Sequence, residues 1–208
     1  LIPNYTPHLE DRILSFRMAR EPGERFRYKS GDNALLALAL DRALGAETIT
    51  DYTQRRLWMP LGMEHRGVWT IDHAGDGLEK TWCCLAATAR DFAKLGRLYL
   101  NGGYWGGQQI VSSDWVERSI EGQVPASAWP NDFESIGWWN YGYQWWLASK
   151  DEGDYFALGK DGQILYVNPR TELIILRLGW STGDLVSSQW ISLFQSIGNL
   201  VDQPTGES

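Results

Sequence analysis

The sequence predicts an α/β (α+β) chain: a mainly helical, loop-rich region to about residue 150, then an antiparallel sheet and a closing helix. Three observations carry this. Apolar residues recur at helical spacing from about Gly31 to Leu44 and again along Phe92, Leu95, Leu98 and Tyr99. Strand-like runs follow at Tyr155–Gly159, Gln163–Asn168 and Glu172–Leu178, with Asn168-Pro169-Arg170-Thr171 as a connecting turn. Helical spacing then returns in Leu185, Val186, Trp190, Leu193, Phe194 and Ile197.

The first 24 residues read as irregular, with Pro3, Pro7 and Pro22 around a short apolar pattern at Ile13, Leu14 and Phe16. The helix that follows closes at Gly45, a favoured C-terminal residue. Thr50 is placed to cap a second helix through Trp58, ended by Pro60-Leu61-Gly62-Met63. Residues 64–80 read as a solvated loop whose Asp72, Asp76 and Glu79 could also pair for acid–base work. Thr88-Ala89-Arg90-Asp91 reads as a capping box opening a helix that ends at Asn101-Gly102-Gly103. Ser112 or Ser113 caps the next short helix. Residues 122–142 read as a long surface loop, and strand structure begins at Tyr141-Gly142-Tyr143-Gln144-Trp145-Trp146.

With 208 residues the chain is long enough for one substantial core, so all of it is assigned to a single domain. A formal net charge of -7 argues against nucleic acid, which needs clustered Lys and Arg. No apolar run approaches 18 residues, so no membrane span is expected. The start at Leu1-Ile2-Pro3 has no initiator Met and no signal-like region, which suggests a processed or truncated product. Bacterial cytoplasm and periplasm both stay open as locations. Adjacent Cys83 and Cys84 are expected as free thiols, since neighbouring cysteines close only a strained ring. Three separated histidines give no metal constellation, and no cofactor is implied. Asn4-Tyr5-Thr6 matches a glycosylation sequon.

The stretch from Arg25 to Leu36 carries the first chemical signal. Tyr28 sits where an extended segment meets a helix start, among polar and Gly-containing residues: Tyr28-Lys29-Ser30-Gly31-Asp32-Asn33. Downstream come Leu57-Trp58-Met59-Pro60-Leu61-Gly62-Met63, the run Leu85 to Gly103, and Gln108-Gln109-Ile110-Val111-Ser112-Ser113-Asp114-Trp115-Val116. The third landmark is Ala157-Leu158-Gly159-Lys160-Asp161-Gly162-Gln163, leading to Val167-Asn168-Pro169. In this order the motifs resemble the serine hydrolases related to class C β-lactamases, penicillin-binding proteins and 6-aminohexanoate-dimer hydrolase.

That resemblance implies a β-lactamase/transpeptidase-like fold, an antiparallel sheet flanked by helices with a helical insertion. It makes Tyr28 the general base that activates a serine nucleophile. Anchored on Gly162 and Pro169, Ala157-Leu158-Gly159 stands where the family has Lys-Thr-Gly, and the Lys160 N–H becomes half of an oxyanion hole. A second register takes Lys160-Asp161-Gly162 as the Lys-Thr-Gly and moves the donor to Gln163. Ser30, Gly159, Asp161, Gly162 and Gln163 line the substrate in this reading, and bulky Trp145 and Trp146 are expected near the cleft.

No serine here has Lys three residues later, and only 27 residues precede Tyr28. The resemblance therefore implies the C-terminal portion of the domain, with Ser-x-x-Lys supplied from outside the chain, by an N-terminal fragment of the same protein. An unperturbed tyrosine, with pKa near ~10, is a poor base without a nearby cation. Lys29 and Lys160 are the candidates in this chain. The partner expected is a small-molecule amide, ester or peptide substrate.

Two alternatives stand beside this. Gly179-Trp180-Ser181-Thr182-Gly183 fits a nucleophile elbow, but that fold needs a histidine after the serine, and His8, His65 and His73 all precede it. A Gly-Ser turn capping the last helix is the simpler account. From another class, a non-catalytic binding module would use the Trp- and Tyr-rich stretch around residues 138–146 to hold a glycan or peptide.

Overall fold

The computed structural model describes residues 7–18, 21, 26–125, 138 and 140–202. The sequon at Asn4, most of the Glu21-Pro22-Gly23 turn and most of the 122–142 loop lie outside the described residues. Two compact units divide at Thr88/Ala89, not at the change of character near residue 150.

The first unit, Leu1–Thr88, holds α1 (Leu9–Leu14), α2 (Ser30–Leu44) and α3 (Ile49–Thr53), the last running into a π-helical turn at Gln54–Trp58. An antiparallel pair, β1 (Val68–Trp69) with β2 (Leu85–Ala86), completes it. α2 ends at Gly45 with φ +71, where a side chain would be strained. Its Ala34, Ala37 and Leu38 pack against Leu9 and Ile13 of α1 and against Ile49. Thr48, not Thr50, caps α3, accepting the Asp51 N–H at 3.0 Å. The Thr50 hydroxyl turns away and donates to Glu79 at 2.6 Å.

The region expected as a solvated acidic loop is instead built around buried carboxylates, and only Asp76 is fully exposed. Glu79 is 4% exposed and also accepts the Thr50 N–H at 2.8 Å. Asp72 accepts the backbone N–H groups of Leu9 at 2.6 Å and Leu78 at 2.8 Å, with His73 Nδ1 at 2.9 Å. Burial pushes the Asp72 carboxyl up, but these hydrogen bonds and the neighbouring imidazole outweigh it and hold it below its ordinary value. A carboxylate favoured in the folded state contributes stability above its unfolded pKa and loses it as pH falls through the folded one. Acid unfolding below pH ~4 is therefore expected to flatten in Asp72→Asn, measured by circular dichroism across pH; an unchanged curve would remove Asp72 from the linkage.

The expectation of free thiols is corrected here. Cys83 and Cys84 form a vicinal disulfide. Their turn is fixed on both sides: the Cys83 N–H donates to Lys80 O at 3.1 Å, and Cys84 O accepts from Thr70 N at 3.2 Å. Cys84 takes a left-handed backbone, φ +72. The fold thus holds the two side chains together in the turn.

The second unit, Ala89–Ser208, is a sheet between helices. α4 (Ala89–Leu100) leads through a small hairpin, β3 (Tyr104–Trp105) and β4 (Gln108–Gln109), to α5 (Ser113–Ile120), which Ser112 caps. Then come β5 (Val124–Pro125), β6 (Asn140–Gly142), β7 (Trp145–Leu147), β8 (Tyr155–Leu158), β9 (Ile164–Asn168) and β10 (Leu173–Arg177), and finally α6 (Ser187–Val201). All six strands pair antiparallel in the order β10-β9-β8-β7-β6-β5. Strand structure begins earlier than expected, because Asn140 Oδ1 accepts the Val124 N–H at 2.8 Å and draws β5 onto β6.

The register sorts the aromatic-rich strands into two faces. Trp146, Phe156 and Tyr166 lie directly opposite one another on one face. There Tyr166 meets Phe194 of α6, ring centroids 5.6 Å apart. The other face carries Trp145, Tyr155, Leu165 and Val167, with Tyr99 of α4 against Trp145 at 4.7 Å. α4 approaches this face closely at Gly96, where an added Cβ would lie 3.0 Å from Leu165 and 3.2 Å from Ile174 and Val167. α6 is rotated from the expected stripe: Ile191, Phe194 and Gly198 are buried, while Val186 and Leu193 are exposed.

Tyr155 is 1% exposed, and among the described residues its hydroxyl has no hydrogen-bond partner. Removing an unsatisfied buried hydroxyl without changing shape relieves its desolvation penalty. Tyr155→Phe is expected to raise stability by about 1 kcal/mol, read as a higher urea midpoint at unchanged slope.

Candidate active site

Tyr28 lies in the irregular stretch that enters α2. Lys29 occupies the N-cap position with extended backbone, φ -144 and ψ 127, and Ser30 is the first helical residue. The helix makes no side-chain cap there, and Asp32 in the first turn complements its positive end. The ring of Tyr28 is half-buried, with 44% exposed. Burial pushes its hydroxyl above the ordinary tyrosine value.

The remaining candidates belong to the second unit. Gly159, Lys160, Asp161, Gly162 and Gln163 form one tight connection between β8 and β9, with a 3-10 turn over Lys160–Gly162. The Gly159 N–H donates to Gln163 O at 2.8 Å, and the Gln163 N–H to Lys160 O at 3.4 Å. Asp161 and Gly162 both take left-handed backbone, φ +60 and +76. Among the described residues the Lys160 N–H makes no backbone hydrogen bond, whereas the Gln163 N–H is already engaged. The Lys160 ammonium extends outward, its side chain 86% exposed, and comes within 4.0 Å of Asp161.

Trp145 and Trp146 are adjacent on β7 and therefore point to opposite faces of the sheet. They are 7% and 4% exposed, and their rings are engaged within the unit. Trp145 packs between Tyr99 and Tyr155, and Trp146 between Trp138 and Tyr141.

The sequence did not point to Arg177, which holds the Lys160 turn from behind. Arg177, the last residue of β10, donates from Nη1 to Gly162 O at 2.6 Å and Asp161 O at 3.3 Å. Its Nη2 donates to Ser181 O at 2.7 Å, and its guanidinium lies 4.5 Å from the Trp190 ring centroid. The Gln163 amide pairs at two points with Gly179, donating to its carbonyl and accepting its N–H at 3.1 Å. The Gly179–Gly183 segment is therefore a buttress. It does not cap α6, which begins at Ser187, but Thr182 O accepts from Trp190 Nε1 at 2.8 Å. The Ser181 hydroxyl accepts the Gly183 N–H locally, at 3.2 Å.

His8 and His73, far apart in sequence, bring their rings within 5.0 Å beside Asp72 and Asp76. Among the described residues, no group of three or more His, Cys, Asp or Glu side chains has the arrangement of a metal site. No helix there is long and apolar enough to cross a membrane.

Compared with known families, residues 3–184 match the Beta-lactamase family. The chain belongs to that family. The curated 6-aminohexanoate-dimer hydrolase of Paenarthrobacter ureafaciens is 31% identical over 164 residues, which is 76% of this chain and 40% of that protein. Among solved structures, a Bacillus anthracis protein described as "Putative 6-aminohexanoate-dimer hydrolase" superposes with a TM-score of 0.79 at 24% identity, covering 93% of this chain and 49% of the other. A Bacteroides dorei protein described as a "putative beta-lactamase" gives a TM-score of 0.67 at 18% identity, covering 97% and 69%. The chain thus spans about two fifths of the curated relative and about half of the Bacillus anthracis chain. Membership of the beta-lactamase family accounts for the antiparallel sheet with helices.

Proposed function

We propose that this chain carries the general base and one oxyanion donor of a serine hydrolase acting on a small amide, ester or peptide through an acyl-enzyme. The nucleophilic serine and its companion lysine are supplied by a segment of the same protein outside these residues. The observation that carries the reading is the Lys160 N–H, which makes no backbone hydrogen bond among the described residues and opens the turn that follows β8 in a beta-lactamase-family sheet. A preorganised backbone donor aimed at developing negative charge does catalytic work without specifying a side chain. This favours the register with Lys160 as donor over the one with Gln163.

In the proposed step Tyr28, as phenolate, takes the serine proton while the serine oxygen bonds to the carbonyl carbon. The carbonyl oxygen becomes an oxyanion held by the Lys160 N–H and the serine's own N–H. Collapse breaks the bond to the leaving group, which receives the proton from Tyr28, and water repeats the sequence to release the acid. Because burial raises the Tyr28 pKa, the scheme requires a cation beside it, and the lysine of Ser-x-x-Lys fills that role.

The relative's name, a 6-aminohexanoate-dimer hydrolase, supports an amide as one member of the substrate class. The test is denaturing intact-mass spectrometry of the full-length protein after reaction with a fluorophosphonate. One adduct on a single serine is expected; an unmodified protein under conditions that label a control serine hydrolase would sink the proposal.

A further inference from the structure

The strongest unexplained feature of the second unit is the guanidinium of Arg177. It donates to three backbone carbonyls, those of Asp161, Gly162 and Ser181, and rests on the face of Trp190. A residue at the end of an outer strand has easier ways to place a cation in water, and two glycines show that space has been kept for this one. A Cβ on Gly162 would lie 2.6 Å from Nη1, and a Cβ on Gly179 would lie 2.9 Å from the same atom. The planar fork fills the volume those side chains would take, joining two loops that share no regular strand pairing.

We propose that Arg177 is a positioning residue for the oxyanion donor. Its fork fixes the carbonyls of Asp161 and Gly162, and those peptides complete the turn that begins at Lys160. The direction of the Lys160 N–H is thereby set from behind, by a group that never meets the substrate. Gln163 fixes the other end of the same turn through its paired contacts with Gly179. The left-handed backbone at Asp161, a non-glycine residue, makes the turn costly to hold, and a charge-assisted clamp on its carbonyls offsets that cost. This inference rests on the hydrolase reading, because only an oxyanion donor needs its N–H held to a fraction of an ångström.

The experiment compares Arg177→Met and Gly179→Ala in the full-length protein, hydrolysing a chromogenic acyl ester. Arg177→Met keeps an apolar stem on Trp190 and removes the fork. The expected result is a fall in kcat of about 10²-fold with KM changed less than about twofold, the signature of a misplaced group that acts in the transition state. Gly179→Ala crowds the guanidinium and is expected to lower kcat by itself, yet to have little further effect when Arg177 is already Met. Additive effects in the double variant, or a normal kcat in Arg177→Met, would overturn the positioning role.

Amide hydrogen exchange separates the two readings. Faster exchange confined to the Gly159 and Gln163 amides, whose hydrogen bonds close the turn, is expected in Arg177→Met whether or not the protein turns over, and unchanged exchange would overturn the clamp itself. A wild-type protein that resists fluorophosphonate would bring down the hydrolase reading, and the positioning role with it. A labelled wild-type with normal kcat in Arg177→Met would bring down the positioning role alone.

Discussion

Replacing Tyr28 with Phe in the full-length protein is expected to slow acylation by about 10²–10⁴-fold, the range that a positioned general base contributes. The substitution deletes one oxygen from a half-buried ring at the entry to α2, so the helix behind it should be undisturbed. The loss should appear in the burst phase with a chromogenic ester and leave substrate binding nearly unchanged. Wild-type acylation should also depend on pH, falling as the medium becomes acidic enough to protonate the phenolate. The sign follows from the environment: burial raises this hydroxyl, and a cation beside it would bring its ionisation down toward neutral pH. Near-normal acylation in Tyr28→Phe would remove the tyrosine from the mechanism.

Phe156→Ala is expected to cost about 3–5 kcal/mol of stability, the range for truncating a fully buried aromatic. Phe156 is 0% exposed on β8, with Trp146 opposite it on β7 and Tyr166 opposite it on β9. The Trp138 ring meets it edge-on at 4.7 Å. Three large rings bordering one site cannot close a phenyl-sized hole by small rotamer changes, so most of the cavity should persist. Chemical denaturation should show a lower midpoint with a similar slope. Because the same strand runs into Gly159, the variant should also exchange the Lys160 turn faster. A loss below about 1 kcal/mol would mean that the aromatic row repacks, contrary to the register described.

How much of this was legible in the sequence differs from element to element. The β8–β9 connection was readable because left-handed backbone at Gly162 and a strand ending in Asn168-Pro169 leave characteristic residues. The helix over residues 30–44 was readable because Gly45 marks its end in the same way. Arg177 was not, because an arginine after an apolar strand looks like any solvated charge until the fold shows what it reaches. Asp72 and Glu79 were hidden for the same reason: their partners are backbone N–H groups, which have no sequence signature. In α6 the apolar residues surround the helix, so spacing alone did not decide that Gly198 rather than Leu193 would face inward. The aromatic stretch at 145–146 drew attention as recognition surface, whereas alternate pointing along β7 sends its two rings into separate packed layers.

The two borders of the six-stranded sheet differ in a way that bears on how the chain behaves in concentrated solution. One border is β5, two residues long and ending in Pro125, whose nitrogen has no hydrogen to offer a newcomer. The other is β10, five residues of which Leu173, Ile174, Ile175 and Leu176 are apolar, paired on one side only among the described residues. Mutual repulsion between negatively charged molecules opposes the pairing of two such borders, and this chain carries a formal charge of -7 at neutral pH. That opposition fades near pH 5.0, where the sequence's own charges balance, and is thinned by salt at any pH. Mildly acidic or high-salt buffers are therefore where border-to-border stacking into colloidal assemblies should set in, well before the fold itself gives way.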